Sequence, residues 1–167
     1  MFMRKLGILG AMLEEVDLIA NAMEQVVQEK YAGVTYYRGW RNGHSITVCC
    51  GGMGKANAAS TTQVLITRYE VDGIIFSGIA GNMNPAIGIG DVVVGKTLCY
   101  HDAEDRMLAQ SAPGTALYSA DPLLVDAVSR GCELAGVRYI VGKIATGDRF
   151  VGSAEEKHRI EKAAHPD

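Results

Sequence analysis

The stretch Lys5-Leu6-Gly7-Ile8-Leu9-Gly10, followed by Ala11-Met12-Leu13-Glu14-Glu15-Val16, decides the fold. Its first six residues are short, apolar and end in glycine, which reads as a buried strand. From Met12 to Met23, the residues Val16, Ile19, Ala20 and Met23 recur at helical spacing. The chain therefore opens as strand, Gly-Ala turn and helix. The same alternation continues outward. Residues 34–40 and 45–50 are β-prone runs flanking Arg41-Asn42-Gly43-His44, and Asn-Gly signals a hairpin because both turn residues must reach positive φ. Gly51-Gly52-Met53-Gly54 leads into a helix over 55–69, whose Ala56, Ala58 and Ala59 are small enough to pack closely on a sheet. Residues 73–77 are an apolar strand running into Gly78-Ile79-Ala80-Gly81-Asn82.

The second half repeats the pattern. Residues 91–98 form a valine-rich strand, and residues 107–118 read as a loop, an insertion over a site. Asp121-Pro122 caps and opens a helix that ends near Gly136. Residues 139–145 form a strand, and Ser153-Ala154-Glu155-Glu156 is a capping box for a last helix. Together these predict an α/β fold in three layers: a mixed, largely parallel central sheet with one antiparallel hairpin, flanked by helices. A length of 167 residues fits one domain over 1–167. Such a chain buries about 70% of its unfolded surface without disulfides or a structural metal. The last helix runs into His165-Pro166-Asp167, where another strand is expected, so the domain reads as incomplete at its C-terminus.

Sixteen Lys and Arg against nineteen Asp and Glu give a net charge of −3, which argues against a grip on nucleic acid. With 48% hydrophobic and 21% charged residues the chain is not disordered. No apolar run approaches ~18 residues, so no membrane span is expected. The basic start, Met1 to Lys5, precedes a short apolar stretch broken by glycines, unlike a secretory signal. Cys49, Cys50, Cys99 and Cys132 lack zinc spacing. Cys49 and Cys50 should face opposite sides of a strand, as reduced thiols of a cytoplasmic protein.

The chemistry should gather at three glycine-bearing turns that follow strands: Gly10-Ala11-Met12, Gly51 to Gly54, and Gly78 to Gly81. In open α/β sheets ligands bind at the carboxyl ends of strands, where glycines let backbone amides approach. There is no GxGxxG, no GxxxxGK[ST] and no GxSxG, so dinucleotide, Walker-type and hydrolase-triad sites are unsupported. Glu14 and Glu15 either complement a helix dipole or, for Glu15 on the apolar face, provide a half-buried carboxylate of raised pKa suited to general-base work. His101-Asp102 and Glu104-Asp105 read as a solvated loop rather than metal ligands. Trp40, Tyr36 and Tyr37 read as packing. Phe150 could stack on a base, and the backbone of Val151 offers it a donor and an acceptor.

In order along the chain come Leu6-Gly-Ile-Leu-Gly-Ala-Met-Leu-Glu-Glu-Val16, Gly51-Gly-Met-Gly-Lys55, Phe76-Ser-Gly-Ile-Ala-Gly81, Gly90-Asp-Val-Val-Val94, Tyr100-His-Asp-Ala103 and Thr146-Gly-Asp-Arg-Phe150. This set resembles the 5′-methylthioadenosine/S-adenosylhomocysteine nucleosidases of the nucleoside phosphorylase superfamily, over essentially the whole chain. The resemblance implies hydrolysis of the N-glycosidic bond of methylthioadenosine or S-adenosylhomocysteine, releasing adenine and the thio-ribose through an oxocarbenium-like transition state. It implies no metal or organic cofactor, and a homodimer. Glu15 matches the carboxylate that activates water. Met12 and Met53 match apolar positions facing the ribose and alkylthio end, and Gly81 a ligand-binding glycine. Phe150 matches the aromatic against adenine, and Val151 the residue whose backbone reads its edge. A carboxylate in the first loop repels a phosphate dianion, which favours hydrolysis over phosphorolysis.

Two departures accompany the resemblance. Ile79 stands where the family commonly has a small hydroxyl residue, leaving the amides of Ala80 and Gly81 for that contact. The family also continues past Asp167 into a Met-Glu that holds the ribose hydroxyls and a Ser-Asp that supplies the general acid. A general acid is typically worth 10²–10⁴-fold, so a chain without it is expected to be impaired. The alternatives are a catalytically impaired nucleoside-binding or oligomerisation module, and a related nucleoside hydrolase or phosphorylase.

Overall fold

The computed structural model describes residues 4–164 and Pro166. The expectations placed on Met1 to Met3, His165 and Asp167 lie outside the described residues. The chain divides into two compact units, residues 1–80 and 81–167.

In the first unit, strand β1 (Lys5–Gly10) is an interior strand of a five-stranded sheet. The other strands are β2 (Glu24–Tyr31), β3 (Val34–Arg41), β4 (His44–Cys50) and β5 (Gly73–Phe76), in the order β2-β3-β4-β1-β5. β1 pairs in parallel with β4 on one side and β5 on the other, while β2-β3 and β3-β4 are antiparallel. The predicted hairpin is present: Asn42 and Gly43 take φ of 50° and 80°, which only such residues adopt cheaply. Alternation along the strands sends Ile8, Ile46 and Val48 to one face, where Val16, Ala20 and Met23 pack. Leu9, Tyr36 and Cys49 go to the other, under Leu65 and Tyr69 of helix α2 (Lys55–Thr67) and the turn after it. The sheet is thus covered on both faces. Cys49 is buried and Cys50 is not, as the alternation requires.

Three expectations for this unit need correction. The helix over 12–23 is a 3₁₀ turn, Leu13–Glu15, followed by the five-residue helix α1 (Asp17–Asn21). The apolar face is the predicted one: Val16, Ala20 and Met23 are buried, and half-buried Ile19 packs against them. The helix stops early because Glu24 opens β2, an edge strand that the sequence pattern did not reveal. Trp40 is half exposed at 50% and so is not a packing residue, whereas Tyr36 is fully buried.

The second unit carries a three-stranded sheet in the order β7-β6-β8: β6 (Val92–Tyr100), β7 (Leu117–Ser119) and β8 (Tyr139–Thr146). β6 and β8 are parallel and β7 is antiparallel to β6. Antiparallel pairing is therefore more extensive than the single hairpin expected. The stretch 107–118 is no plain loop: it holds most of helix α3 (Asp105–Gln110) and the start of β7. Helix α4 (Pro122–Ala135) is capped by Asp121, whose carboxylate accepts from the Leu123 and Leu124 amides, and ends on Gly136 in the left-handed conformation. Helix α5 (Ala154–Ala164) begins after Ser153, whose hydroxyl accepts from the Glu156 amide at 3.2 Å, one half of the predicted capping box, and donates to Glu156 Oε2. It buries Ile160 and Ala164 against Cys99.

Candidate functional site

The parallel trio β4-β1-β5 places the ends of three strands side by side, and each is followed by one of the glycine turns. The ladders run one residue further on both sides, with the Gly51 amide donating to the Gly10 carbonyl and the Ser77 amide to the Leu9 carbonyl, both at 2.9 Å. Gly10 is where the site is built. A Cβ there would lie 2.6 Å from Val16 Cγ1 and 3.2 Å from Glu15 Cβ, so the 3₁₀ turn can settle on the strand end only over a glycine. That approach brings Glu15 back over the turn that precedes it.

The Glu15 carboxylate is held by three backbone amides. Its Oε2 accepts from Ala11 at 2.7 Å and from Met12 at 3.0 Å, and its Oε1 accepts from Ile79 at 3.0 Å. The Ile79 amide comes from the turn after β5. It reaches the carboxylate across Gly78, where a Cβ would stand 3.1 Å from Glu15 Oε1 and 2.9 Å from the Phe76 ring. The Cys50 thiol donates to the Ala11 carbonyl at 3.4 Å, so the turn is braced from β4 as well. Burial pushes the Glu15 carboxyl up, but the amides of Ile79, Met12 and Ala11 together outweigh it and hold the carboxyl below its ordinary range. This corrects the expected raised pKa: hydrogen bonding to the charged form prevails over half-burial.

The apolar candidates lie around this edge with their side chains open. Met53 is 74% exposed, on a turn fixed by the Asn57 amide nitrogen donating to the Met53 carbonyl at 2.7 Å. Ile79 is 79% exposed, and its contribution is its backbone N–H, not its side chain. Met12 and Ala80 are exposed too. Sequence reasoning missed the Ala11 and Ile79 amides as ligands of Glu15. The signal was the glycine just before each: Gly10 before Ala11, Gly78 before Ile79.

Gly81, Phe150 and Val151 belong to the second unit. There the parallel pair β6 and β8 ends at Tyr100 and Thr146, and the Gly147–Val151 segment leaves β8. Phe150 is 94% exposed, and Val151 packs on the Cys99, Ile160 and Ala164 cluster. His101 and Asp102 are not simply solvated: the Asp148 amide donates to Asp102 Oδ2 at 2.8 Å, and His101 Nδ1 is buried. Among the described residues no group of three or more His, Cys, Asp and Glu side chains is placed to hold a metal ion, and no helix is long and apolar enough to cross a membrane.

The family model of the phosphorylase superfamily matches residues 5–165. The 5′-methylthioadenosine/S-adenosylhomocysteine nucleosidase of Staphylococcus aureus strain JH9 is 32% identical over 162 residues, covering 95% of this chain and 71% of the relative. The chain belongs to the phosphorylase superfamily, among its methylthioadenosine/S-adenosylhomocysteine nucleosidases. Solved structures of these nucleosidases superpose closely. That from Colwellia psychrerythraea 34H, in complex with adenine, has a TM-score of 0.91 at 29% identity, covering 99% of this chain and 71% of that one. The S-adenosylhomocysteine nucleosidase from Streptococcus pyogenes, in complex with 5-methylthiotubericidin, also has a TM-score of 0.91, at 30% identity, covering 99% of this chain and 72% of that one. The nucleosidase family and the α/β phosphorylase architecture expected from the six motifs are thereby established.

Proposed function

We propose that this chain hydrolyses the N-glycosidic bond of methylthioadenosine or S-adenosylhomocysteine, with Glu15 holding and activating the attacking water. The carrying observation is the occupancy of the Glu15 carboxylate. An ionised carboxylate offers about four acceptor directions, and three are taken by the Ala11, Met12 and Ile79 amides. The remaining one is on Oε1 and is available to a water proton. Water oxygen then bonds C1′ while the C1′–N9 bond breaks. The bonding pair leaves with adenine, which takes a proton from solvent as it departs, and the surplus proton of the attacking water goes to Glu15.

The carboxylate also sets the nucleophile. Fixed negative charge at a strand-end site disfavours a phosphate dianion and tolerates neutral water. Met12 and Met53 supply apolar surface for the ribose and alkylthio end, and the Ala80 and Gly81 backbones supply polar contacts beside Ile79, whose amide holds Glu15. Phe150 stacks on adenine, and the Val151 backbone reads its edge. These roles follow the family resemblance residue by residue, and the adenine and 5-methylthiotubericidin complexes of the relatives support the substrate class. A cytoplasmic homodimer completes the reading. The dimer follows the family resemblance, and all four cysteines are unpaired, as a reducing compartment keeps them. Sedimentation at twice the chain mass checks the dimer.

The test is adenine release from methylthioadenosine by the folded chain. Release that falls on the order of 10²–10⁴-fold in Glu15→Gln, with nucleoside binding retained, is the expected result. Release untouched by that substitution overturns the role of Glu15. Binding without any release from the unaltered chain favours the binding-module alternative.

A further inference from the structure

We infer that the His101-Asp102 turn positions the segment 147–151, acting on it through Gly147 and the Asp148 amide. The inference rests on the reading that gives Phe150 and Val151 to the base. Its ground is a set of contacts that continue past the last paired residues of the two strands. Tyr100 and Thr146 are opposite one another at the ends of parallel β6 and β8, so the two departing segments start side by side. The His101 amide donates to the Thr146 carbonyl at 2.9 Å, which carries the ladder one step further. One residue on, the Asp148 amide donates to Asp102 Oδ2 at 2.8 Å.

Between these two bonds lies Gly147, pressed against both side chains. A Cβ at 147 would stand 2.5 Å from His101 Nε2, 2.6 Å from its Cε1 and 2.8 Å from Asp102 Cγ. The imidazole is walled in as well as walling: its Nδ1 is buried and has no hydrogen-bond partner among the described residues. At the far end of the segment, Val151 is held by the apolar cluster of Cys99, Ile160 and Ala164. The segment is therefore pinned at 148 by the turn and at 151 by the core. Phe150 stands between the pins, almost wholly exposed, with its ring 3.4 Å from where a Cβ on Gly152 would be. An aromatic ring that touches so little of its own protein can meet a base reproducibly only if the backbone on both sides is fixed. The turn does this before the ligand arrives, so binding need not order the segment. His101 and Asp102 are positioning residues: neither is required to touch the substrate.

The experiment measures adenine affinity by calorimetry and steady-state release from methylthioadenosine, with thermal unfolding as a check on folding. Asp102→Ala removes the acceptor for the Asp148 amide. It should weaken adenine binding on the order of tenfold, about what one charge-assisted hydrogen bond supports, and raise KM in proportion while kcat changes little. Asp102→Asn keeps an oxygen acceptor and should recover most of the affinity. Gly147→Ala displaces the segment sterically while leaving Asp102 intact, and should give the same KM-selective loss. Should Asp102→Ala fail to fold, Gly147→Ala decides alone. A purely structural role would lower the unfolding temperature without separating KM from kcat. Wild-type adenine affinity in folded Asp102→Ala and Gly147→Ala, with Phe150→Ala impaired, overturns the inference and leaves the base-site reading standing. Wild-type affinity in all three, or no adenine binding by the unaltered chain, overturns both.

Discussion

Replacing Glu15 by glutamine tests the amide clamp independently of catalysis. The side chain keeps its shape but loses its charge and one acceptor. Its amide oxygen can take the place of Oε2 and still accept from Ala11 and Met12, leaving the NH₂ group facing the Ile79 amide, donor against donor. One charge-assisted bond is then lost, worth ~2 kcal/mol, and two others fall from charged to neutral at about 1 kcal/mol each, for a gross loss of about 4 kcal/mol. Met12 and Ile79 are exposed, so water recovers roughly half, and Glu15→Gln should cost about 2 kcal/mol near pH 7. The cost should depend on pH in one direction. A carboxyl whose folded pKa lies below its ordinary value of 4.5 binds its proton less tightly when folded. It contributes stability above the unfolded pKa and loses that contribution as pH falls through the folded one. Glutamine does not titrate. Urea unfolding of both proteins between about pH 7 and about pH 3 should therefore show the wild-type advantage shrinking in acid. An advantage that stays constant or widens as pH falls refutes the clamp.

Two further outcomes follow from the same geometry. Gly10→Ala would put a methyl 2.6 Å from the Cγ1 of fully buried Val16, so it should destabilise the fold by about 3 kcal/mol, the upper end for overpacking, and dislodge Glu15 with it. A urea midpoint within error of wild type would contradict this. Burial, aided by neighbouring Cys50, pushes the Cys49 thiol up to about 12, and its side chain is inaccessible. Alkylation near pH 8, where roughly one thiol in 10⁴ would be ionised, should leave Cys49 unmodified in the folded chain. Modification before unfolding, read by mass spectrometry, would count against it.

Much of the fold was legible because its signals are local. β1, the Asn42-Gly43 hairpin, the Asp121-Pro122 helix start and the Ser153 cap of the last helix each follow from a few adjacent residues, and each stands where the sequence placed it. β2 was not legible. Its eight residues, Glu-Gln-Val-Val-Gln-Glu-Lys-Tyr, are nearly all exposed, so there was no buried face to impose alternation. Val26-Val27 and the Ala32-Gly33 turn, with φ of 48° and 82°, were the available hints. The spacing predicts one helix over 12–23 because helical spacing of buried residues also fits a 3₁₀ turn followed by a short helix. The identity of Glu15 was legible and its ionisation was not. The third donor, Ile79, is 64 residues away, and Gly78 before it marks a close approach without naming Glu15 as the group approached.

The lowered pKa changes what Glu15 can do. A carboxylate held below its ordinary range is a weaker base, poorly suited to stripping a proton from free water. It is well suited to staying charged and staying put. The Ala11, Met12 and Ile79 amides approach both of its oxygens and leave one acceptor direction, so a water bound there has a defined orientation. If the sugar develops oxocarbenium character, as the resemblance implies, the water becomes acidic only as it bonds to a cationic carbon. By then a weak base suffices, and fixed negative charge stabilises the developing cation itself. The donors that lower the basicity of Glu15 are the same ones that fix its position. In a site of this kind the loss in proton affinity is offset by placement, which makes Gly10 and Gly78, the residues that let those donors converge, as necessary to the chemistry as the carboxylate they serve.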